Sequence, residues 1–243
     1  MLALGAVAAA VAVVAGCGDE AQVDQVRVLR LNPGAIVTKQ PRSPTTVRAS
    51  LTTARAPQLP PPMSVPQVGS VAAGATNDGR LVNGLQLPAT GPDWVTYDPI
   101  RHVIPNRGER RWATDRLLAY LLYVLRDYRL ANAGAPPVVI GDLSRPSGGP
   151  FGSDYGGLGH VSHQNGLDVD VYYPRLDRAL QPPGAVADVD RALAQDLVDR
   201  FVAAGAQYTF VGLHVGLGGA PGVVQAIAHH DDHVHVRIAD WRR

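Results

Sequence analysis

Two short stretches of strict alternation most constrain how this chain folds. Residues 167–173 read Leu-Asp-Val-Asp-Val-Tyr-Tyr, and residues 233–238 read His-Val-His-Val-Arg-Ile. Successive side chains on a strand point to opposite faces. Each stretch therefore predicts a strand with valines on one side and ionisable groups on the other. Val169, Val171, Val234 and Val236 then fill a core. Asp168 and Asp170 share the opposite face of one strand, and His233 and His235 that of the other. Helices lie between and around these strands. Residues 114–128 place Leu117, Leu118, Leu121, Leu125 and Tyr128 at 3.6-residue spacing, with Thr114 as N-cap and Asp115 in the first turn. Gly134 and Pro136-Pro137 stop that helix. Residues 188–204 predict a second helix, with Val189, Leu193, Leu197, Val198 and Phe201 inward and Gly205 at its end. Val138–Ile140 and residues 208–211 read as short strands, 79–84 as a turn-rich run, and 147–159 as a glycine-rich loop. Strands and helices alternate without a regular βαβ repeat. The expected class is α+β, an antiparallel core sheet flanked by helices.

The ionisable faces carry the chemistry. Of eight histidines, four fall within residues 229–235, in His229-His230-Asp231-Asp232-His233-Val234-His235. Two more lie in Gly159-His160-Val161-Ser162-His163-Gln164-Asn165-Gly166-Leu167-Asp168. Cys17 is the one thiol, so an internal disulfide and a thiolate zinc knuckle are both excluded. Any metal must be held by imidazole and carboxylate. Three such ligands with a fourth position left for water make the catalytic form of a zinc site. His163 on the loop, one of Asp168 and Asp170, and one of His233 and His235 are the candidates that alternation allows. Ser162 lacks the strand–turn–helix setting of an activated serine nucleophile, so it reads as structural.

The chain before this domain has a different character. Residues 1–17 carry no charge and end in Val14-Ala15-Gly16-Cys17. The apolar run is too short to span a bilayer comfortably and fits a secretory signal segment. Its end resembles the bacterial lipobox, in which the cysteine sulfur receives a diacylglyceryl group. Cys17 is thus expected to anchor the protein to a membrane, in the periplasm or on the outer face of the cell membrane. Residues 18–67 hold eight of the chain's 20 prolines, between Pro33 and Pro66, and read as a Pro/Ser/Thr-rich tether. The expected organisation is signal 1–17, tether 18–67 and one domain over 68–243. With 22 basic against 21 acidic residues the formal net charge is +1, which argues against a dedicated nucleic-acid binder.

The motif Gly-His-x-Ser-His-Gln-x-Gly-Leu-Asp-Val-Asp, followed by His-x-x-His-x-His-Val-Arg, resembles the penicillin-insensitive murein endopeptidases. These belong to the zinc peptidase group that includes lysostaphin, D-Ala-D-Ala carboxypeptidases and the hedgehog signalling domain. Val68-Gly69-Ser70, residues 84–88 and the segment from Gly141-Asp142 to Gly149 fit the resemblance in the same order, so it covers most of residues 68–238. It implies a fold like that of the D-Ala-D-Ala metallopeptidases. It implies Zn2+ on His163, Asp170 and His235, with His233 as general base and His230 as its partner. His160 and Asp168 match the motif as supports behind the ligands. The implied substrate is the peptidoglycan cross-link, cut between D-Ala and meso-diaminopimelate. A metal-activated water leaves no serine or cysteine for a β-lactam to acylate. Family members commonly have several cysteines, and this chain departs from that pattern. Arg145 is a candidate for binding a substrate carboxylate, which would instead favour a carboxypeptidase that trims terminal D-Ala. A non-catalytic wall-binding module with structural zinc is the third reading.

Overall fold

The computed structural model describes residues 63–153 and 160–240, all within one unit spanning residues 54–243. The signal segment, Cys17 and the tether up to residue 62 lie outside the described residues. Among the described residues no helix is long and apolar enough to cross a membrane.

A hairpin opens the domain, β1 (Val71–Ala75) against β2 (Asp78–Val82). The reading of residues 79–84 as turn-rich is corrected here, because Gly79 lies inside β2. A side chain on Gly79 would run into the carbonyl oxygens of Ala73 and Ala75, so glycine here marks a close approach of two backbones. A second small ladder pairs β3 (Leu85–Gln86) with β5 (Trp112–Ala113). The main sheet has six strands: β4 (Trp94–Thr96), β6 (Val138–Ile140), β7 (Asp168–Tyr172), β8 (Tyr208–Gly212), β9 (Val224–Ile227) and β10 (His233–Arg237). Their order is β4-β6-β7-β10-β8-β9.

The class is α+β, as expected, but the sheet is mixed. Its centre is antiparallel, through β6–β7, β7–β10 and β10–β8, while β4–β6 and β8–β9 at the two ends are parallel. Parallel neighbours need a long connection between them. Residues 97–137 provide it on one side and residues 213–223 on the other.

Helix α1 (Asp115–Ala131) is the connection's helical part. Thr114 caps it, its hydroxyl accepting the Leu117 N–H at 3.1 Å. Leu117, Leu121, Leu125 and Tyr128 are fully buried. The helix runs three residues beyond Tyr128 before Asn132 caps it. Helix α2 (Arg191–Ala203) starts later than its apolar pattern predicts, because residues 186–188 form a separate turn of 3-10 helix and Asp190 accepts the Leu193 N–H. Ala194, Leu197, Val198 and Phe201 are buried. These helix faces join Val169, Val171, Val234 and Val236 in one continuous core. Each buried aliphatic side chain contributes about 1.5–3 kcal/mol of transfer free energy.

The far face of the sheet decides what the molecule can do. All five residues of β7 are buried, Asp168 and Asp170 included. The loops 141–153 and 160–166 close over that face, so carboxylates that alternation placed opposite the core are themselves enclosed. Buried charge is tolerated only when it is paired and hydrogen-bonded. The arrangement of those partners is the site.

Candidate metal centre

The ladder between β7 and β10 sets His235 opposite Asp170 and His233 opposite Tyr172. Directly opposite residues on one face bring their side chains within contact range. His163 enters from the loop before β7, with φ +70°. Left-handed backbone is uncommon for a residue with a Cβ, and here it turns the imidazole down onto the strand pair. His163, Asp170 and His235 are all buried, with 1%, 4% and 6% of their surfaces exposed.

Three atoms converge. His163 Nε2 lies 3.3 Å from Asp170 Oδ1, His235 Nδ1 lies 3.1 Å from the same oxygen, and the two nitrogens are 3.2 Å apart. The outer nitrogens fix which atom carries the proton. His163 Nδ1 donates to the Leu143 carbonyl at 2.7 Å, and His235 Nε2 donates to Asp168 Oδ1 at 2.8 Å. In the neutral rings both inner nitrogens are then lone pairs. Two lone pairs and a carboxylate oxygen face one another, and Asp170 Oδ1 is buried without a hydrogen-bond partner. Such a triangle could accommodate a cation at its centre. Its edges match an ion held tetrahedrally at ~2.1 Å from each ligand, which spaces ligands by ~3.4 Å. The donor set of two imidazoles and a carboxylate is one that zinc accepts.

The protonation energetics reflect the same close grouping. Burial raises the Asp170 carboxyl, but His163 and His233 together hold it well below the usual carboxylate range. Burial lowers His235, and the carboxylates of Asp168 and Asp170 outweigh it, holding the ring up at about 9. Burial keeps His163 down.

The remaining predicted residues surround this triangle. Asp168 is fully buried and, besides His235, accepts Arg237 Nε at 2.6 Å. His160 Nε2 meets Asp142 Oδ2 at 2.9 Å, which leaves its Nδ1 3.8 Å from Asp170 Oδ2. His160, His163 and Asp170 each present a ligand atom within 4.8 Å of one another, so His160 stands at the edge of the same centre. His233 Nδ1 donates to Asp232 at 2.7 Å, and its Nε2 is 3.7 Å from Asp170 Oδ1. Burial lowers this ring, and Asp170 and Asp232 outweigh it, so it sits above the usual histidine value. His230 lies 4.7 Å from His233 between ring centroids, the two rings tilted by 35°. Its Nδ1 donates to the Ala228 carbonyl at 2.7 Å, and burial holds it below the ordinary histidine value. With Nδ1 as the donor, a neutral His230 ring presents a lone pair on Nε2.

A cavity of about 500 Å³ opens over these groups, lined by His160, Asp170, His230, His233 and His235 among others. Arg145 does not line it; its guanidinium donates to the Pro150 carbonyl at 2.7 Å within its own loop. No arginine or lysine lines the cavity among the described residues.

Sequence reasoning missed two parts of the site. Asp142 is buried at the cavity floor and takes hydrogen bonds from Arg110 Nε at 2.7 Å and Asn106 Nδ2 at 3.0 Å as well as from His160. Nothing in the spacing announces a partnership across 32 residues. Tyr172 also lines the cavity. Its position was legible, since extending the alternation of Asp168 and Asp170 by one step reaches it.

The structure defines a mixed α+β scaffold whose central strands carry a buried His/Asp centre at a cavity, a group that could hold a metal ion. The chain belongs to the family described as penicillin-insensitive murein endopeptidase, whose sequence profile matches residues 72–204. His160, His163, Asp168 and Asp170 fall inside that match, and His230, His233 and His235 lie beyond it. Individual relatives bear the same description. The Klebsiella pneumoniae protein is 31% identical over 99 residues, 41% of this chain and 31% of its own. The Escherichia coli O157:H7 protein is 30% identical over 132 residues, 54% of this chain and 43% of its own. The Yersinia enterocolitica protein is 32% identical over 108 residues, 44% of this chain and 34% of its own. The matched stretch thus spans about a third to two fifths of these relatives' length.

Proposed function

We propose that this protein is a zinc-dependent murein endopeptidase that hydrolyses the peptide cross-links of peptidoglycan, at the bond between D-Ala and meso-diaminopimelate. The observation that carries the proposal is the triangle of His163 Nε2, Asp170 Oδ1 and His235 Nδ1, with edges of 3.1–3.3 Å, at the foot of an open cavity. Family membership supports the substrate class.

His163, Asp170 and His235 would hold the ion, and Leu143 O and Asp168 would hold the two imidazoles in the required tautomers. A bound zinc ion supplies Lewis-acid polarisation and a water whose pKa is lowered toward ~7. His233 is the general base. Its Nδ1–H is committed to Asp232, so Nε2 is left to take the proton of the attacking water. The Asp232 carboxylate favours the imidazolium that results. His233 then returns the proton to the amine nitrogen as the C–N bond breaks. His230 Nε2, an acceptor beside His233, orients the water. His160 supports Asp170 from its second oxygen. The cavity wall, lacking Arg and Lys among the described residues, supports cleavage within a chain over trimming at a terminal carboxylate. The family's name fits a reaction with no acylated serine. Cys17 would tether the enzyme through its lipid to the membrane outside the cytoplasm, with residues 18–67 as spacer.

The test uses the full chain and purified cross-linked muropeptides, read by mass spectrometry before and after metal removal and zinc restoration. Chelator-sensitive conversion of dimers to monomers is the expected result. Release of single D-Ala would mean a carboxypeptidase, and an inert zinc-loaded protein would mean a binding module.

A further inference from the structure

The site as described has a base and an acceptor, yet its imidazoles offer little to a developing oxyanion. His230 Nδ1–H is committed to the Ala228 carbonyl, and His233 Nδ1–H to Asp232. The Nε2 atoms of both rings are engaged with the water in the proposed reaction, His230 as its acceptor and His233 as its base. Tetrahedral intermediates of acyl transfer need hydrogen-bond donors aimed at the oxyanion.

We propose that Tyr172 is that donor, its phenolic hydroxyl hydrogen-bonding the carbonyl oxygen of the bound peptide cross-link and holding it more strongly as it becomes an oxyanion. This inference rests on the endopeptidase reading. Tyr172 lies two residues after Asp170 on β7, directly opposite His233 in the ladder, and it lines the cavity. Its ring is fixed on three sides. Tyr97 meets it edge-on at 5.7 Å and 83°, His233 at 6.1 Å and 71°, and Gly141 passes so close that an added Cβ would fall 3.1 Å from the ring. The residue is only 6% exposed. Its hydroxyl nevertheless makes no hydrogen bond to any described residue. The ring is enclosed while the hydroxyl, unlike that of Tyr128, is not among the enclosed unpartnered atoms, so the donor is open to a ligand that enters the cavity. No proton leaves Tyr172 in this role. The water's proton passes through His233 to the amine, and the phenol only donates a hydrogen bond.

Ser162 is the other hydroxyl at the cavity wall, and it sits on a loop that the sheet does not hold. The test therefore compares Tyr172→Phe with Ser162→Ala in the zinc-loaded full chain. Phenylalanine keeps the packing against Tyr97 and His233, and a thermal melt of each variant checks the fold. The probes are a cross-linked muropeptide dimer and a phosphinate analogue carrying tetrahedral phosphorus at the scissile carbon. Tyr172→Phe should lower kcat by about 10²–10³-fold with KM little changed. Zinc content should be unaltered, and the phosphinate should bind at least about tenfold more weakly. Ser162→Ala should match wild type in both. Equal turnover and phosphinate affinity in Tyr172→Phe would overturn the assignment while leaving the endopeptidase reading intact. The larger loss appearing in Ser162→Ala would do the same. A wild-type protein that neither cleaves the dimer nor binds the phosphinate would remove both.

Discussion

Asp168→Asn isolates the part of the site that holds a ligand without being one. The carboxylate is fully buried and accepts from His235 Nε2 at 2.8 Å and from Arg237 Nε at 2.6 Å. Asparagine has nearly the same shape, but only one oxygen and no charge. Both donors meet the same oxygen, Oδ1, so the asparagine oxygen can keep both contacts while the negative charge is lost and its NH2 faces the His163 N–H that Oδ2 accepts at 3.4 Å. A neutral amide oxygen is a weaker acceptor than a carboxylate, so the Nε2–H tautomer of His235 is held less firmly and Nδ1 is a poorer ligand. Replacing such a supporting group typically costs 10–100-fold in metal affinity, which is about 1.4–2.7 kcal/mol. Loss of the ligand His235 itself should cost far more. The assay is a zinc competition titration of the full chain against a chromophoric chelator, with urea unfolding of the metal-free proteins run alongside to remove any difference in stability. Affinity within twofold of wild type would refute the claim that Asp168 positions His235. A loss as large as that of His235→Ala would refute the division of roles, making Asp168 a ligand.

Three further outcomes follow from the same geometry. His233→Ala should retain stoichiometric zinc, measured by elemental analysis, while muropeptide cleavage falls by about 10²–10⁴-fold; loss of zinc would mean that the two imidazoles of β10 have been assigned the wrong way round. Leu121→Ala, at a fully buried position of α1, should destabilise by about 2–5 kcal/mol in urea unfolding without altering zinc affinity per folded molecule. Burial raises the Asp98 carboxyl, but Arg107 at 2.5 Å and the N–H groups of Ile100 and Arg101 outweigh it and leave the carboxyl below its ordinary value. Its stabilisation is therefore present above the unfolded value of ~3.9 and lost as pH falls through the folded one. Asp98→Asn should flatten the pH dependence of stability in that acid window, and an unchanged slope would contradict the pairing.

Periodic patterns carried most of what the sequence disclosed. The cap and apolar face of α1 and the valine faces of β7 and β10 follow from local spacing, whereas the choice of Asp170 and His235 came from the resemblance of the motifs. What escaped depends on contacts distant in sequence. Strands as short as β3 and β5 have too few residues to show alternation, and β4 and β9 lie at the ends of the sheet, where parallel pairing depends on the length of the connection. The glycines of residues 79–84 look like a turn until the opposing carbonyls of β1 explain Gly79. In the site, alternation identified both carboxylates of β7 but could not choose the ligand. In three dimensions Asp168 faces His235 Nε2 and Asp170 faces His235 Nδ1, the arrangement on which the proposal of Asp170 as the ligand rests. Asp142 was hidden because its partners Arg110 and Asn106 come from a separate segment. Arg145 looked available because a glycine-rich stretch follows it, yet that stretch folds back and engages it through the Pro150 carbonyl.

The central claim is that His163, Asp170 and His235 together bind a hydrolytic zinc ion. Anomalous diffraction above and below the zinc absorption edge, from crystals of the zinc-loaded protein, tests it directly. The account predicts one strong anomalous peak within about 2.0–2.2 Å of His163 Nε2, Asp170 Oδ1 and His235 Nδ1, with a fourth position open to the cavity. A peak elsewhere, a fourth protein ligand closing that position, or no peak at full zinc loading would contradict it.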